Sequence, residues 1–141
     1  MRELKELLEF AMELARGAGE LTLHYYMETL EPSTKSDGSY VTIADRQAES
    51  YLRKQIAARF PDDGVLGEEE GESTGRSGRR WILDPIDGTF AFVHGVPFYG
   101  VLIALETDGE MSIGVVNIPA LGEIVSAAKG VGCFLNGEPA R

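Results

Sequence analysis

The stretch Trp81-Ile82-Leu83-Asp84-Pro85-Ile86-Asp87-Gly88-Thr89 has the residue types of a divalent-metal phosphate site. An apolar, strand-like run delivers two carboxylates, a glycine and a hydroxyl into one tight turn. An aspartate at the end of a buried strand can hold a hard cation, and a second one three residues on can reach the same cation or a neighbouring one. Pro85 fixes φ near about −65°, and Gly88 lets backbone N–H groups approach an anion closely. Upstream, Gly67-Glu68-Glu69 offers more carboxylate oxygen at the end of a second short apolar run, Val65-Leu66. Such an oxygen donor set suits Mg2+, with Mn2+ as the substitute. His94 follows the turn, but hard Mg2+ sites seldom use imidazole, so His94 reads as a hydrogen-bonded histidine at a helix end, and His24 is not a ligand candidate either.

The elements that must position these residues fall into two kinds. Leu4, Leu7, Leu8, Ala11, Leu14, Ala15, Ala18, Leu21 and Tyr25 recur at helical spacing and predict a long amphipathic first helix. Gly17 and Gly19 inside it each cost about 1 kcal/mol relative to alanine, which predicts close packing against a neighbour. A loop follows from Pro32 to Ser39. A second helix is expected from about Ile43 to Arg59, with Thr42 as N-cap, Ala48, Tyr51, Leu52 and Ile56 on its inner face, and Pro61 marking its end. The period then changes to short runs rich in valine, isoleucine and leucine. Strands are expected at Gly64 to Leu66, Arg80 to Asp84, Phe98 to Glu106, Met111 to Asn117, Glu123 to Ala127 and Gly132 to Leu135. Thr107-Asp108-Gly109-Glu110 has the chemistry of a hairpin turn, and Gly71 to Gly78 that of a flexible surface loop. There are no internal repeats. Two helices followed by a mostly antiparallel sheet make an α+β layered unit.

A chain of 141 residues fits one domain and can bury roughly two-thirds of its unfolded surface. Its single cysteine, Cys133, cannot form an internal disulfide; between Gly132 and Phe134 it reads as a small buried hydrophobe. With no signal peptide and no apolar run of about eighteen residues, the expectation is a soluble, cytoplasmic protein with no membrane partner. The net charge of −10, without a basic stripe, argues against a nucleic-acid partner. It suits a site built from carboxylates that repel one another until cations bind.

At three ordered motifs, Val41-Thr42-x-x-Asp45, Leu66-Gly67-Glu68-Glu69 and Asp84-Pro85-Ile86-Asp87-Gly88-Thr89, the chain resembles the inositol monophosphatase family of Mg2+-dependent, lithium-sensitive phosphomonoesterases. The resemblance continues through Gly95-Val96-Pro97-Phe98 and Ala128-Lys129-Gly130-x-Gly132 to Asn136-Gly137. Lys35-Ser36-Asp37-Gly38-Ser39 and the segment from Asp63 to Glu69 lean toward the bacterial histidinol-phosphatase members. The resemblance implies that Asp84 bridges two metal ions, that Asp87 binds the second, and that the Ile86 carbonyl completes the first while its side chain only packs. It implies Glu68, the first glutamate after the glycine, as a further metal ligand that also holds the attacking water together with Thr89. Asp45 would orient Thr89 or that water; the competing account is an acid placed in the first turn of a helix for its dipole. Gly88 and Thr89 are expected to open a short helix through Val93 whose N–H groups face the phosphate, and Lys35 would approach the phosphate or a metal-bound water from the preceding loop. Glu69 would stand behind the ligands, whereas Glu70 and Glu72 read as a solvated face. The implied reaction is attack of a metal-activated water on a small phosphate monoester, with the cations neutralising charge on the phosphoryl oxygens and the departing alkoxide. The complete protein is implied to be a homo-oligomer, a dimer.

Two departures stand out. The family often has asparagine or serine before the phenylalanine in the metal turn, and here Thr89-Phe90-Ala91-Phe92 puts a methyl group there. Full-length relatives also continue past the position of Arg141 into a second α/β half that carries a Trp-Asp-x-Ala-Ala-Gly-like motif and grips the leaving group. Residues 1–141 are therefore expected to be an N-terminal metal-binding half, as a truncated product, a partial sequence or a natural half-protein. Three functions follow. One is a phosphomonoesterase acting on L-histidinol phosphate or an inositol monophosphate. Another is a different enzyme of the superfamily, such as a nucleotide 3′-phosphatase, fructose-1,6-bisphosphatase or NADP phosphatase. The third is an inactive metal-binding half-domain.

Overall fold

The computed structural model describes residues 2–26 and 39–140. Helix α1, Arg2–Tyr25, follows the apolar stripe and buries Leu7, Leu8, Ala11, Leu14, Ala15 and Ala18. Helix α2, Ser39–Arg59, packs against α1 and buries Ala44, Ala48, Leu52 and Ile56. It starts one turn earlier than expected, so Thr42 lies inside the helix and is not its N-cap. Val41 and Thr42 are weak helix formers, but their cost of about half a kcal/mol each is easily overridden once the helix packs on its neighbours. The loop expected over 32–38 lies outside the described residues. Gly17 and Gly19 do mark close approaches. A Cβ at Gly17 would enter the Tyr51 ring on α2, and one at Gly19 would strike the Asn117 amide, which donates to the Ala15 carbonyl at 2.9 Å.

The rest of the chain forms one sheet of eight strands. These are β1 (Gly64–Gly67), β2 (Gly71–Ser73), β3 (Arg79–Asp87), β4 (Gly100–Thr107), β5 (Glu110–Ile118), β6 (Glu123–Ala128), β7 (Gly132–Leu135) and β8 (Glu138–Pro139). Their order is β2-β1-β3-β4-β5-β6-β7-β8. Neighbours run antiparallel except β1 and β3, which are parallel. The architecture is thus α+β, with helices layered on a mostly antiparallel sheet. Asp108 and Gly109, both at positive φ (51° and 86°), close the β4–β5 hairpin in the two-residue geometry that matches strand twist.

Alternation along the strands separates two faces. Trp81, Leu83, Val101, Ile103, Leu105, Ile113, Val115, Ile124 and Ala128 meet the helices in the main core. Ile82, Leu102, Ala104, Val116, Val125 and Leu135 point the other way, and no element of the described chain covers them. Cys133 belongs to that second face: its neighbour Phe134 packs on the core, so the cysteine is exposed, not buried as the sequence suggested. The glycine-rich segment after the acidic run also departs from expectation. Gly71–Ser73 is an edge strand that gains its backbone partners from β1, with Val65 opposite Ser73 and Gly67 opposite Gly71. Among the described residues no helix is long and apolar enough to cross a membrane.

Candidate metal and phosphate site

The parallel pairing of β1 and β3 brings the acidic motifs together. Gly67 pairs with Leu83, so the chain leaves β1 at Glu68 beside the point where β3 reaches Asp84. β3 does not stop there, as the sequence suggested, but continues to Asp87 through a bulge. Asp84 faces Leu102 and Asp87 faces Gly100, so Pro85 and Ile86 together oppose the single residue Val101. In a regular strand, residues three apart point to opposite faces. The extra residue restores the phase and leaves Asp84 and Asp87 on the same side. Proline suits this position, because a bulge tolerates the missing N–H donor.

Beneath the turn lies a small apolar cluster of Ala44 from α2 with Ile86, Phe92 and Tyr99. Tyr99 hydrogen-bonds Thr22 of α1 through its hydroxyl at 2.9 Å, so both long helices brace the turn. The Ile86 side chain is packing, as expected. Gly88 adopts φ 88° and ψ 52°, a left-handed conformation that favours glycine, and opens the five-residue helix α3, Thr89–Val93. Thr89 is exposed at its start. Ala91, the departure from the family pattern, packs its methyl group against the apolar cluster. His94 ends the helix with Nδ1 2.8 Å from the Phe90 carbonyl and its ring stacked on Phe90 at 4.1 Å, the structural role read for it.

Asp45 is not a helix-start acid. With α2 beginning at Ser39, it lies in the second turn, buried. Burial first, and then the charges of Glu69, Asp84, Glu68 and Glu49, push its carboxyl up to about 7. Asp84 is also raised, first by burial and then by Asp87 and Glu68, with a hydrogen bond from the Ile86 backbone opposing the shift. Among the described residues, no three aspartate, glutamate, histidine or cysteine side chains are drawn into a ready-made metal shell. The acids are electrostatic neighbours held apart, the arrangement that mutual repulsion favours. Their chemistry nevertheless fits a hard divalent cation: every donor is oxygen, and the raised carboxyls gain most from a nearby positive charge.

Glu68, Glu69 and Glu70 form the three-residue connection between β1 and β2. Glu69 lies 3.7 Å from an exposed Arg46, and Glu72, exposed on β2, reaches across β1 to pair with Arg80 of β3 at 3.0 Å. Lys35 lies outside the described residues. The residue missed from sequence is Glu49, a fully buried acid on α2 whose carboxylate accepts the backbone N–H groups of Glu69 and Glu70. Its signal was its place one helical turn from both Asp45 and Arg53, next to the buried Ala48.

The profile described as the inositol monophosphatase family matches residues 3–141. The histidinol-phosphatase of Chlorobaculum parvum is 55% identical over 133 residues, covering 94% of this chain and 51% of the relative. The inositol-1-monophosphatase of Rhizobium meliloti is 43% identical over 124 residues, covering 87% and 44%. The crystal structure of the extragenic suppressor protein suhB from Bartonella henselae superposes with a TM-score of 0.85 at 34% identity, covering 96% of this chain and 53% of that one. The chain thus spans about half the length of the relatives it matches.

Proposed function

The chain belongs to the inositol monophosphatase family, and from that premise we propose that it supplies the metal-holding part of a Mg2+-dependent phosphomonoesterase, with Mn2+ as a substitute ion. The observation that carries this is the β3 bulge, which leaves Asp84 and Asp87 on one side with Glu68 at the end of the adjacent parallel strand. Asp84 would bridge two cations, Asp87 would hold the second, and the Ile86 carbonyl and Glu68 would hold the first. Bound cations would supply charge neutralisation at the phosphoryl group and the acidity needed to activate water. Glu68 and Thr89 would hold and aim that water. Asp45, raised by its surroundings, would orient Thr89 from behind. Gly88 and Thr89 would turn their N–H groups to the phosphate, and Lys35 would approach it from the loop.

The substrate we propose is a small alcohol phosphate, L-histidinol phosphate ahead of an inositol monophosphate. The Lys35 to Ser39 and Asp63 to Glu69 segments lean that way, and the relative named histidinol-phosphatase is more similar than the one named inositol-1-monophosphatase. For residues 1–141 alone we infer weak turnover, supported by the uncovered apolar face of the sheet and by the half-length match to relatives. The test is hydrolysis of both phosphates by the complete protein after EDTA treatment and on Mg2+ addition. EDTA should abolish turnover and Mg2+ restore it; full activity in protein shown metal-free by elemental analysis would refute the proposal.

A further inference from the structure

We propose that Glu49 is a positioning residue of the metal site: its buried carboxylate clasps the backbone of the acidic turn and so sets where Glu68 stands. The proposal rests on Glu68 being a metal ligand, as argued above. Asp45, Glu49 and Arg53 recur every four residues along α2 and therefore share one face. Glu49 is completely buried. Its Oε1 accepts the Glu69 N–H at 3.1 Å, and its Oε2 accepts the Glu70 N–H at 3.0 Å and the Arg53 Nε–H at 3.0 Å. Arg53 continues past the carboxylate to Ser73 Oγ at 3.2 Å and to the Gly71 carbonyl, gripping the far side of the same turn.

Gly67 completes the clasp. A Cβ there would lie 2.5 Å from the Glu49 carboxylate, so only glycine lets β1 run this close. Glu68, Glu69 and Glu70 are three like charges in succession, and the charge of Glu68 also acts on Asp84. Unrestrained, such a turn would splay toward solvent. Two N–H groups fixed on one carboxylate orient the peptide planes on either side of Glu69, and the first of those planes begins at Glu68. Because Asp45 stands on the same helix face, α2 mounts both Asp45 and the Glu68 turn on one rigid element. A glutamine would offer a single acceptor oxygen, so only a carboxylate takes one amide on each oxygen while pairing with Arg53. A charged acceptor makes stronger bonds to the two amides, which suits the task of holding ligands in place.

The experiment uses the complete protein, 15N-labelled, and reads two quantities: amide hydrogen exchange at Glu69 and Glu70, and Mn2+ affinity by water-proton relaxation. Glu49→Gln should speed exchange at those two amides at least about tenfold while β3 and β4 amides keep the parent's rates. It should also weaken Mn2+ binding about tenfold, the usual scale for a group behind a metal ligand. Glu49→Asp keeps the charge but cannot reach both amides, and should show the same two losses. Gly67→Ala displaces the carboxylate from the strand side and should reproduce them even if the Glu49 variants fold poorly. Faster exchange with unchanged Mn2+ affinity would make Glu49 a staple only and overturn the proposal, as would unchanged exchange. A parent that takes up no Mn2+ would instead refute the metal reading itself, and the proposal with it.

Discussion

Asp84 and Asp87 share one side of β3 although they are three residues apart, because Pro85 and Ile86 bulge against the single residue Val101. Each aspartate therefore faces the same space. Asp84→Asn and Asp87→Asn should each lower kcat of the complete protein at least about a hundredfold, the scale of losing a major electrostatic contact in the transition state. Glu70→Gln, on an exposed side chain of the same acidic run, should cost little. Without metal, the melting curves of all three should stay close to the parent's. Equal damage from Glu70→Gln would show that the ligands are misassigned.

Asp45 makes stability depend on pH in a defined direction. Its carboxyl is raised from 3.8 to about 7 in the fold, so between those values the folded chain keeps a proton that the unfolded chain has released. Stability then falls as pH rises through this window. The contribution is fully present below the unfolded value and lost above about 7. Asp45→Asn should flatten this fall in the metal-free protein, as read by urea melts from acid to neutral pH. A parent whose stability rises through the window as steeply as, or more steeply than, that of Asp45→Asn would contradict the burial argument. Bound cations favour the ionised carboxylate, so Mg2+ should lessen the difference between parent and variant.

The uncovered face of the sheet predicts self-association of residues 1–141. Val116 and Val125 are cross-strand partners on that face, 38% and 41% exposed, and apolar surface left open in this way is an interaction site. Sedimentation velocity should find species larger than a monomer. Val116→Lys with Val125→Lys should shift the chain toward monomer with little change in melting temperature. A monodisperse monomer would contradict this prediction.

Substrate preference is tested by kcat/KM of the complete protein on L-histidinol phosphate, myo-inositol 1-phosphate and a bisphosphorylated nucleotide. The first should be favoured. A large preference for either of the others would reject the assignment.

Elements with strong periodicity were legible before any coordinates. The α1 stripe, the Thr107 to Glu110 turn and the alternating strands each follow from local chemistry. The features that build the site depend on pairing between distant segments, which local patterns do not encode. Asp-Pro-Ile-Asp reads as a turn, and only its register against β4 reveals a bulge. A period of two says that Cys133 and Phe134 face opposite ways but not which one meets the helices. Gly71 to Ser73 looks like a loop because its glycine and glutamate are weak strand formers, yet β1 supplies the partners that make it a strand. Glu49 looks like any helix acid until the turn it holds is folded against it.

The central claim is that Glu68, Asp84, the Ile86 carbonyl and Asp87 close on divalent cations. Its most direct test is an anomalous difference map from crystals grown with Mn2+. The map should place Mn2+ at ligand distance from the Asp84 and Asp87 carboxylates, with the Ile86 carbonyl and Glu68 completing the shell, and the peak should vanish in the Asp84→Asn, Asp87→Asn double variant. Well-ordered crystals with no peak beside Asp84 and Asp87, or with Mn2+ bound only elsewhere, would contradict it.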